Sequence, residues 1–248
     1  EYMCQLSGKS EAEIYEDLKG VIFLNPMYGY GNSTETKYLM ADEYLSGNVR
    51  EKLAWAKRSA ELSPDDYKIH VEALEKVQPK DLTASEISVR LGATWLPPEI
   101  VEKFIFEFLG TPRYAQWNIK LHFSQYTGEW NIEGKSYDRG NVKAYNTYGT
   151  SRINAYKIIE ETLNLKDVRI FDYIEEPDGK KKAVLNKKET AIAQSKQELI
   201  KQGFQDWIWA DPERRERLCK LYNEKFNSIR PREYDGSHIT FNGMNPEI

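Results

Sequence analysis

The sequence predicts an α+β fold, mostly helical, with small antiparallel β-hairpins and a C-terminal helical hairpin. Apolar residues recur at three- and four-residue intervals along most of the chain, the spacing of one helix face. In a few short stretches the period drops to two on either side of turn residues. From Asn186 to Ser228 the helical period runs twice, interrupted at Asp211-Pro212.

That last stretch is the expected hairpin. Its first arm aligns Ile192, Lys196, Leu199 or Ile200, Phe204 and Trp207 or Ile208. Trp207 is expected to lie mostly inside. Asp211 suits the capping position and Pro212 the first helical position, where no N–H is needed. The second arm is expected to bury Leu218, Leu221, Tyr222 and Phe226.

Taken from the start, Ser10 with Glu13 forms a capping-box pattern for a short helix that Gly20 closes. Val21 to Leu24 reads as a strand, the Asn25 to Lys37 stretch as a loop, and Tyr38 to Met40 as a partner strand. Asp42 to Leu45 forms a turn. Asn48 with Glu51 caps a helix turning Val49, Leu53, Ala56 and Ala60 inward, and Ser63-Pro64-Asp65 ends it. The next helix carries Ile69, Leu74 and Val77, and a shorter one follows Thr83 and stops at Gly92. A strongly apolar helix starts about Pro98. Leu121 and Phe123 with Trp130 and Ile132 mark a half-buried hairpin, and Tyr137 to Asn141 a loop. Gly149-Thr150-Ser151 leads into a helix ending near Asn164, and Val168 to Ile174 with Ala183 to Leu185 forms a second hairpin. The expected divisions are residues 1–40, a small helix and β-unit; 41–228, a helix-rich domain; and 229–248, an exit linker.

Composition bounds the function. The 248 residues are 40% hydrophobic and 30% charged, with no apolar run near the roughly 20 residues of a membrane span. A net charge of −4 argues against coating nucleic acid by bulk charge and leaves only a local basic face. Two distant cysteines and three scattered histidines give neither metal spacing nor a disulfide framework, which suits a cytoplasmic location. With no starting methionine and no signal peptide, the chain reads as a piece of a longer polypeptide.

No catalytic, cofactor-binding or metal-binding residue emerges. Gly134-Lys135-Ser136 after Gly128 suggests a phosphate-binding loop, but five residues separate the glycines where the motif needs four, and no helix follows. Lys135 is therefore expected to be an inconsequential surface residue. Asn25-Pro26-Met27-Tyr28 resembles the base-gripping loop of DNA amino-methyltransferases, but Met27 replaces a proline and a plain turn is the simpler reading. For nucleic acid, the candidates are Arg214, Arg215, Arg217, Arg230 and Arg232, in a stretch from Asp211 to Arg232 with seven basic residues against four acidic. Arg152, at the start of a helix, and the hairpin-tip residues Lys180, Lys181 and Lys182 are secondary candidates.

Long phrases in order, among them ADEYLSGNVREKL, VEALEKVQPKDLTASEI, YNTYGTSRINAYKIIEETLNL and RPREYDGSHITF with GMNPEI, resemble one family. It is the central region of the large Swi/Snf-type helicase and DNA-methylase fusion proteins of bacterial conjugative elements and phages. The resemblance implies a non-catalytic intervening domain that couples the two parts and contacts DNA, with the helicase and methylase domains of the same polypeptide as partners. ATP with Mg and S-adenosylmethionine are implied for the parent protein alone, because this chain has neither Walker motifs nor the cofactor loop. A protein-interaction or structural spacer module is the alternative, and a degenerate DNA methyltransferase fragment a more distant one.

Overall fold

The structure is a computed structural model that describes residues 2–25, 28, 36–175 and 181–234. Most of the expected Asn25 to Lys37 loop, the 176–179 turn, Lys180 and the GMNPEI phrase lie outside the described residues. The fold is α+β. Two compact units form, Glu1–Leu82 with Leu221–Ile248, and Thr83–Lys220.

In the first unit α1 (Tyr2–Ser7) precedes α2 (Glu11–Asp17), whose capping box forms as the sequence requires, with Ser10 N donating to Glu13 Oε2 at 2.8 Å. β1 (Ile22–Leu24) pairs antiparallel with β2 (Tyr38–Met40), then α3 (Ala41–Tyr44) and the two-residue β3 (Gly47–Asn48) follow. α4 (Val49–Leu62) is capped by Asn48, and α5 (Pro64–Lys76) starts on its proline. Phe23, Tyr44, Val49, Ala56 and Leu74 form the core, with the Phe23 and Tyr44 rings stacked 4.7 Å apart. On α5 Leu74 is buried as expected, but His70 rather than Ile69 goes in, edge-on to both rings. Its Nδ1 meets the Tyr44 hydroxyl at 2.9 Å, and burial holds its pKa down to about 4.

In the second unit the helix expected after Thr83 is a single turn. Ile87, Val89 and Leu91 are each buried, an alternation that only an extended chain delivers. α6 (Pro98–Leu109) ends on the left-handed Gly110, and α7 (Arg113–Gln116) follows. β4 (Lys120–Phe123) and β5 (Trp130–Glu133) form the first expected hairpin. A π-helical turn at Lys143–Thr147, unforeseen in the sequence, precedes α8 (Ala155–Leu163). β6 (Phe171–Glu175) and β7 (Lys181–Leu185) form the second hairpin, and Ile170 and Val168 just before it are tied to Thr190 and Gln197.

α9 (Lys187–Ile208) packs on α6 and α8. Gly203 permits the close approach, since a Cβ there would lie 2.2 Å from the Phe108 ring. Its buried face is Ala193, Gln197, Ile200, Phe204 and Ile208, which settles each expected alternative toward the core. Ile192 and Leu199 are exposed, and Trp207 is half-buried rather than inside. In α10 (Pro212–Phe226) Leu218 is buried as expected, but Phe226 faces outward, 58% exposed.

Residues after 220 return to the first unit. Asn223 exchanges two hydrogen bonds with the backbone of Leu82, at 2.8 and 2.9 Å. β8 (Ile229–Arg230) pairs antiparallel with β3, so the stretch expected to begin an exit linker is a strand. The compact units divide the chain after Leu82 and after Lys220, whereas the sequence suggests divisions at residues 40 and 228.

Candidate nucleic-acid interface

The arginines singled out by the sequence have different fates. Arg214 was expected on the solvent face of α10 and is instead buried, 6% exposed. Its Nε donates to the Ile208 carbonyl at 3.0 Å, another N–H donates to that of Trp207, and its guanidinium lies 3.5 Å from the centroid of the Trp207 ring. The last carbonyls of α9 have no helical partner, and Arg214 supplies one. Asp211, accepting from Arg214 N at 2.7 Å, caps the next helix as expected. Arg214 is thus the lock of the α9–α10 joint. Trp207, whose Nε1 donates to Glu107 at 2.7 Å, is its cover.

Arg217 and Arg232 are exposed and Arg230 half-exposed, but each faces a carboxylate. Arg217 meets Glu99 at 3.1 Å, Arg230 meets Glu233 at 3.3 Å, and Arg232 donates twice to Asp42 at 2.6 and 2.9 Å. The Arg232 guanidinium hydrogen-bonds the Asp42 carboxyl and lowers its pKa. Arg215 is exposed and reaches the Trp209 carbonyl only at 3.5 Å.

Arg152 does not sit in a helical first turn. α8 begins three residues later, capped by Asn154, and Thr150 accepts from the Arg152 and Ile153 amides in a local turn. Arg152 bonds Asp172 at 2.8 Å and the Phe171 carbonyl at 3.0 Å. Lys181 and Lys182 stand exposed on β7, opposite Glu175 and Ile174, while Lys180 is outside the described residues.

Lys135 is not inconsequential. Its Nζ lies 2.6 Å from Glu160, a carboxylate with 8% of its side chain exposed, which also accepts from Lys157 and from the Ile132 amide. Burial works to raise the Glu160 pKa, but these hydrogen bonds outweigh it and the pKa is lowered. Lys135 therefore serves a buried carboxylate rather than a phosphate. Sequence reading missed Glu160 because it looks like any other charge of an EE pair on a helix; only its seat on the apolar face of α8 marks it. Among the described residues no cluster of three or more possible ligands could hold a metal ion.

At the N-terminus α2 carries Glu11, Glu13, Glu16 and Asp17, with Lys37, Lys19 and Lys9 paired to three of them. Phosphate contact through this helix is opposed by its own charge.

Residues 1–35 are similar to a family described as "Probable helicase, winged helix domain". No curated protein and no solved structure matches the chain. Residues 90–228, more than half of the chain and most of the second unit, match the model of the domain of unknown function DUF8437, and the chain belongs to that family.

Proposed function

We propose that the chain is a non-catalytic domain of a helicase-related protein that contacts DNA and couples it to adjoining domains of the same polypeptide. The observation that carries this reading is the similarity of residues 1–35 to a probable helicase winged helix domain. The finer reading, an intervening domain between a DNA methylase and a Swi/Snf-type helicase, rests on the resemblance of ADEYLSGNVREKL and the phrases that follow it in order. ATP, Mg and S-adenosylmethionine then belong to the neighbouring domains.

Of the C-terminal candidates, Arg215, Arg217, Arg230 and Arg232 remain for DNA, with Lys181 and Lys182 secondary; Arg214 is committed to the fold. The test is a titration of the chain with single- and double-stranded DNA at two salt concentrations. Binding that weakens steeply with salt is the expected result, since each neutralised phosphate releases a counterion. No binding at low salt moves the assignment to a protein-interaction or spacer module. The carboxylate partners of Arg152, Arg217, Arg230 and Arg232 favour that second reading.

A further inference from the structure

Residues 113–143 of the second unit place large rings and cations on the surface together. Tyr114, Trp117 and Tyr137 are 66, 80 and 60% exposed. A tryptophan ordinarily removes much of its large apolar surface from water, so a ring left this open is informative. Arg113, Lys120, Arg139 and Lys143 are also exposed, and none of the four forms an ion pair among the described residues. Of the carboxylates of the stretch, Asp138 is buried, Glu133 stands across the hairpin from Lys120 and 3.5 Å from His122, and Glu129 is exposed, and none forms an ion pair with Arg113, Arg139 or Lys143.

The local geometry gathers these groups. Gly134 has φ +72, and a Cβ there would lie 2.1 Å from the Asn118 carbonyl oxygen and 3.2 Å from Tyr137 Cδ2. The Tyr137 ring therefore lies beside the residue that follows Trp117. Asn118 Nδ2 donates to the Tyr114 carbonyl at 3.1 Å. A Cβ on Gly110, three residues before Arg113, would lie 3.9 Å from Lys143 Nζ.

A buried polar network fixes the two halves of this surface. The Tyr156 hydroxyl donates to Asp138 Oδ2 at 2.7 Å and meets the Thr111 hydroxyl at 2.7 Å. Asn141 Nδ2 donates to the same Asp138 oxygen and to the Leu109 carbonyl, at 2.7 and 3.0 Å. The loop bearing Tyr137, Arg139 and Lys143 is thereby pinned to the α6–α7 junction that presents Arg113, Tyr114 and Trp117. These bonds tie the loop to that junction through Asp138 Oδ2 and Asn141.

We infer that this face is a platform for single-stranded nucleic acid, with bases stacking on Trp117 and Tyr137 and phosphates meeting Arg113, Arg139 and Lys143. Exposed rings interleaved with unmatched cations meet both needs of a single strand, whose base faces are open to stacking. A duplex hides those faces, and an acidic peptide engages the cations but leaves the rings without a partner. The inference rests on the reading that the chain contacts DNA, and names where.

The test is a fluorescence-anisotropy titration of the whole chain with an oligodeoxythymidylate of about 15 nucleotides and with a duplex of the same length. Trp117→Ala and Tyr137→Ala should each weaken single-strand binding about fivefold or more, and Trp117→Phe should retain most of it. Duplex binding should change less than about twofold, because the stacking contribution is absent. Arg113→Gln, Arg139→Gln and Lys143→Gln together should reduce the slope of log affinity against log salt by about 2. All these side chains are exposed, so unchanged melting temperatures verify the fold of each variant. If the parent chain binds DNA but the ring and charge variants match it, the platform is wrong and DNA binds elsewhere on the chain. Equal loss of duplex and single-strand binding overturns the single-strand assignment. A parent chain that binds neither at low salt removes the platform and the broader reading together.

Discussion

Two regions of this chain carry several cations and differ in what they offer a partner. The stretch from Asp211 to Arg232 is dense in arginine, yet Arg214 is folded into a helix joint and Arg217, Arg230 and Arg232 each face a carboxylate. Residues 113–143 are less conspicuous, but four of their cations stay exposed with no ion pair among the described residues. The available charge of a surface is what remains after the fold has used its share. Counting arginines overstates the first region and understates the second.

The largest test of that difference sets two adjacent residues apart. Arg214→Glu places a carboxylate against the Trp207 and Ile208 carbonyl oxygens and beside Asp211, and should cost at least about 3 kcal/mol in denaturant unfolding. Arg215→Glu, one position along and exposed, should change stability by no more than about 0.5 kcal/mol. Similar costs for both would mean that the joint does not depend on Arg214, and the division between inward and outward cations would fail.

The same division predicts a smaller contrast within residues 113–143. Lys135→Ala leaves the buried Glu160 with Lys157 and the Ile132 amide, and should cost about 2 kcal/mol, whereas Arg139→Ala should cost almost nothing. The pH dependence carries a sign. The folded-state pKa of Glu160 is lowered, so its ionised form contributes stability that is full above the unfolded value near 4.5 and is lost as pH falls through the folded value. The Lys135→Ala deficit should therefore be greatest at neutral pH and shrink in acid. A deficit independent of pH would assign Lys135 a packing role only.

How much of this was legible in the sequence follows from what each signal depends on. Local chemistry was readable: the Ser10–Glu13 box, the Asn48 cap, Pro98 opening α6 and the β4–β5 alternation all form where the residues require. On α9 the pattern left two faces open, and packing against α6 through Gly203 and Phe108 chose the one with Ile200 and Ile208. The turn after Thr83 carries a good helix start, but Ile87, Val89 and Leu91 alternate into the core, and burial outweighed the cap. At the candidate site two of the failures share one cause. Whether Arg232 or Arg217 is free is decided by a residue distant in sequence, Asp42 for the first and Glu99 for the second, and no window of sequence contains both. The 113–143 surface was equally invisible, because its gathering depends on the buried hydrogen bond of Asp138 with Tyr156.

The smallest expected effect asks whether the masked arginines reach DNA once released. Asp42→Asn frees Arg232 and Glu99→Gln frees Arg217, and solvent-exposed pairs of this kind contribute little to stability, so the fold should hold. Removing any carboxylate also makes the whole chain less negative, which by itself favours an anionic ligand. Glu61→Gln, an exposed glutamate with no ion pair among the described residues, removes the same charge without freeing an arginine and serves as the control. If the C-terminal arginines lie on the DNA path, the first two variants should bind duplex about two- to fivefold more tightly than the control at low salt, and the salt slope should steepen by about 0.9 for each additional phosphate neutralised. Variants that track the control would mean that the arginines are structural even when unmasked. Any DNA bound by the chain would then have to reach cations that carry no ion pair among the described residues, such as Arg113, Arg139 and Lys143 in the stretch with the exposed rings.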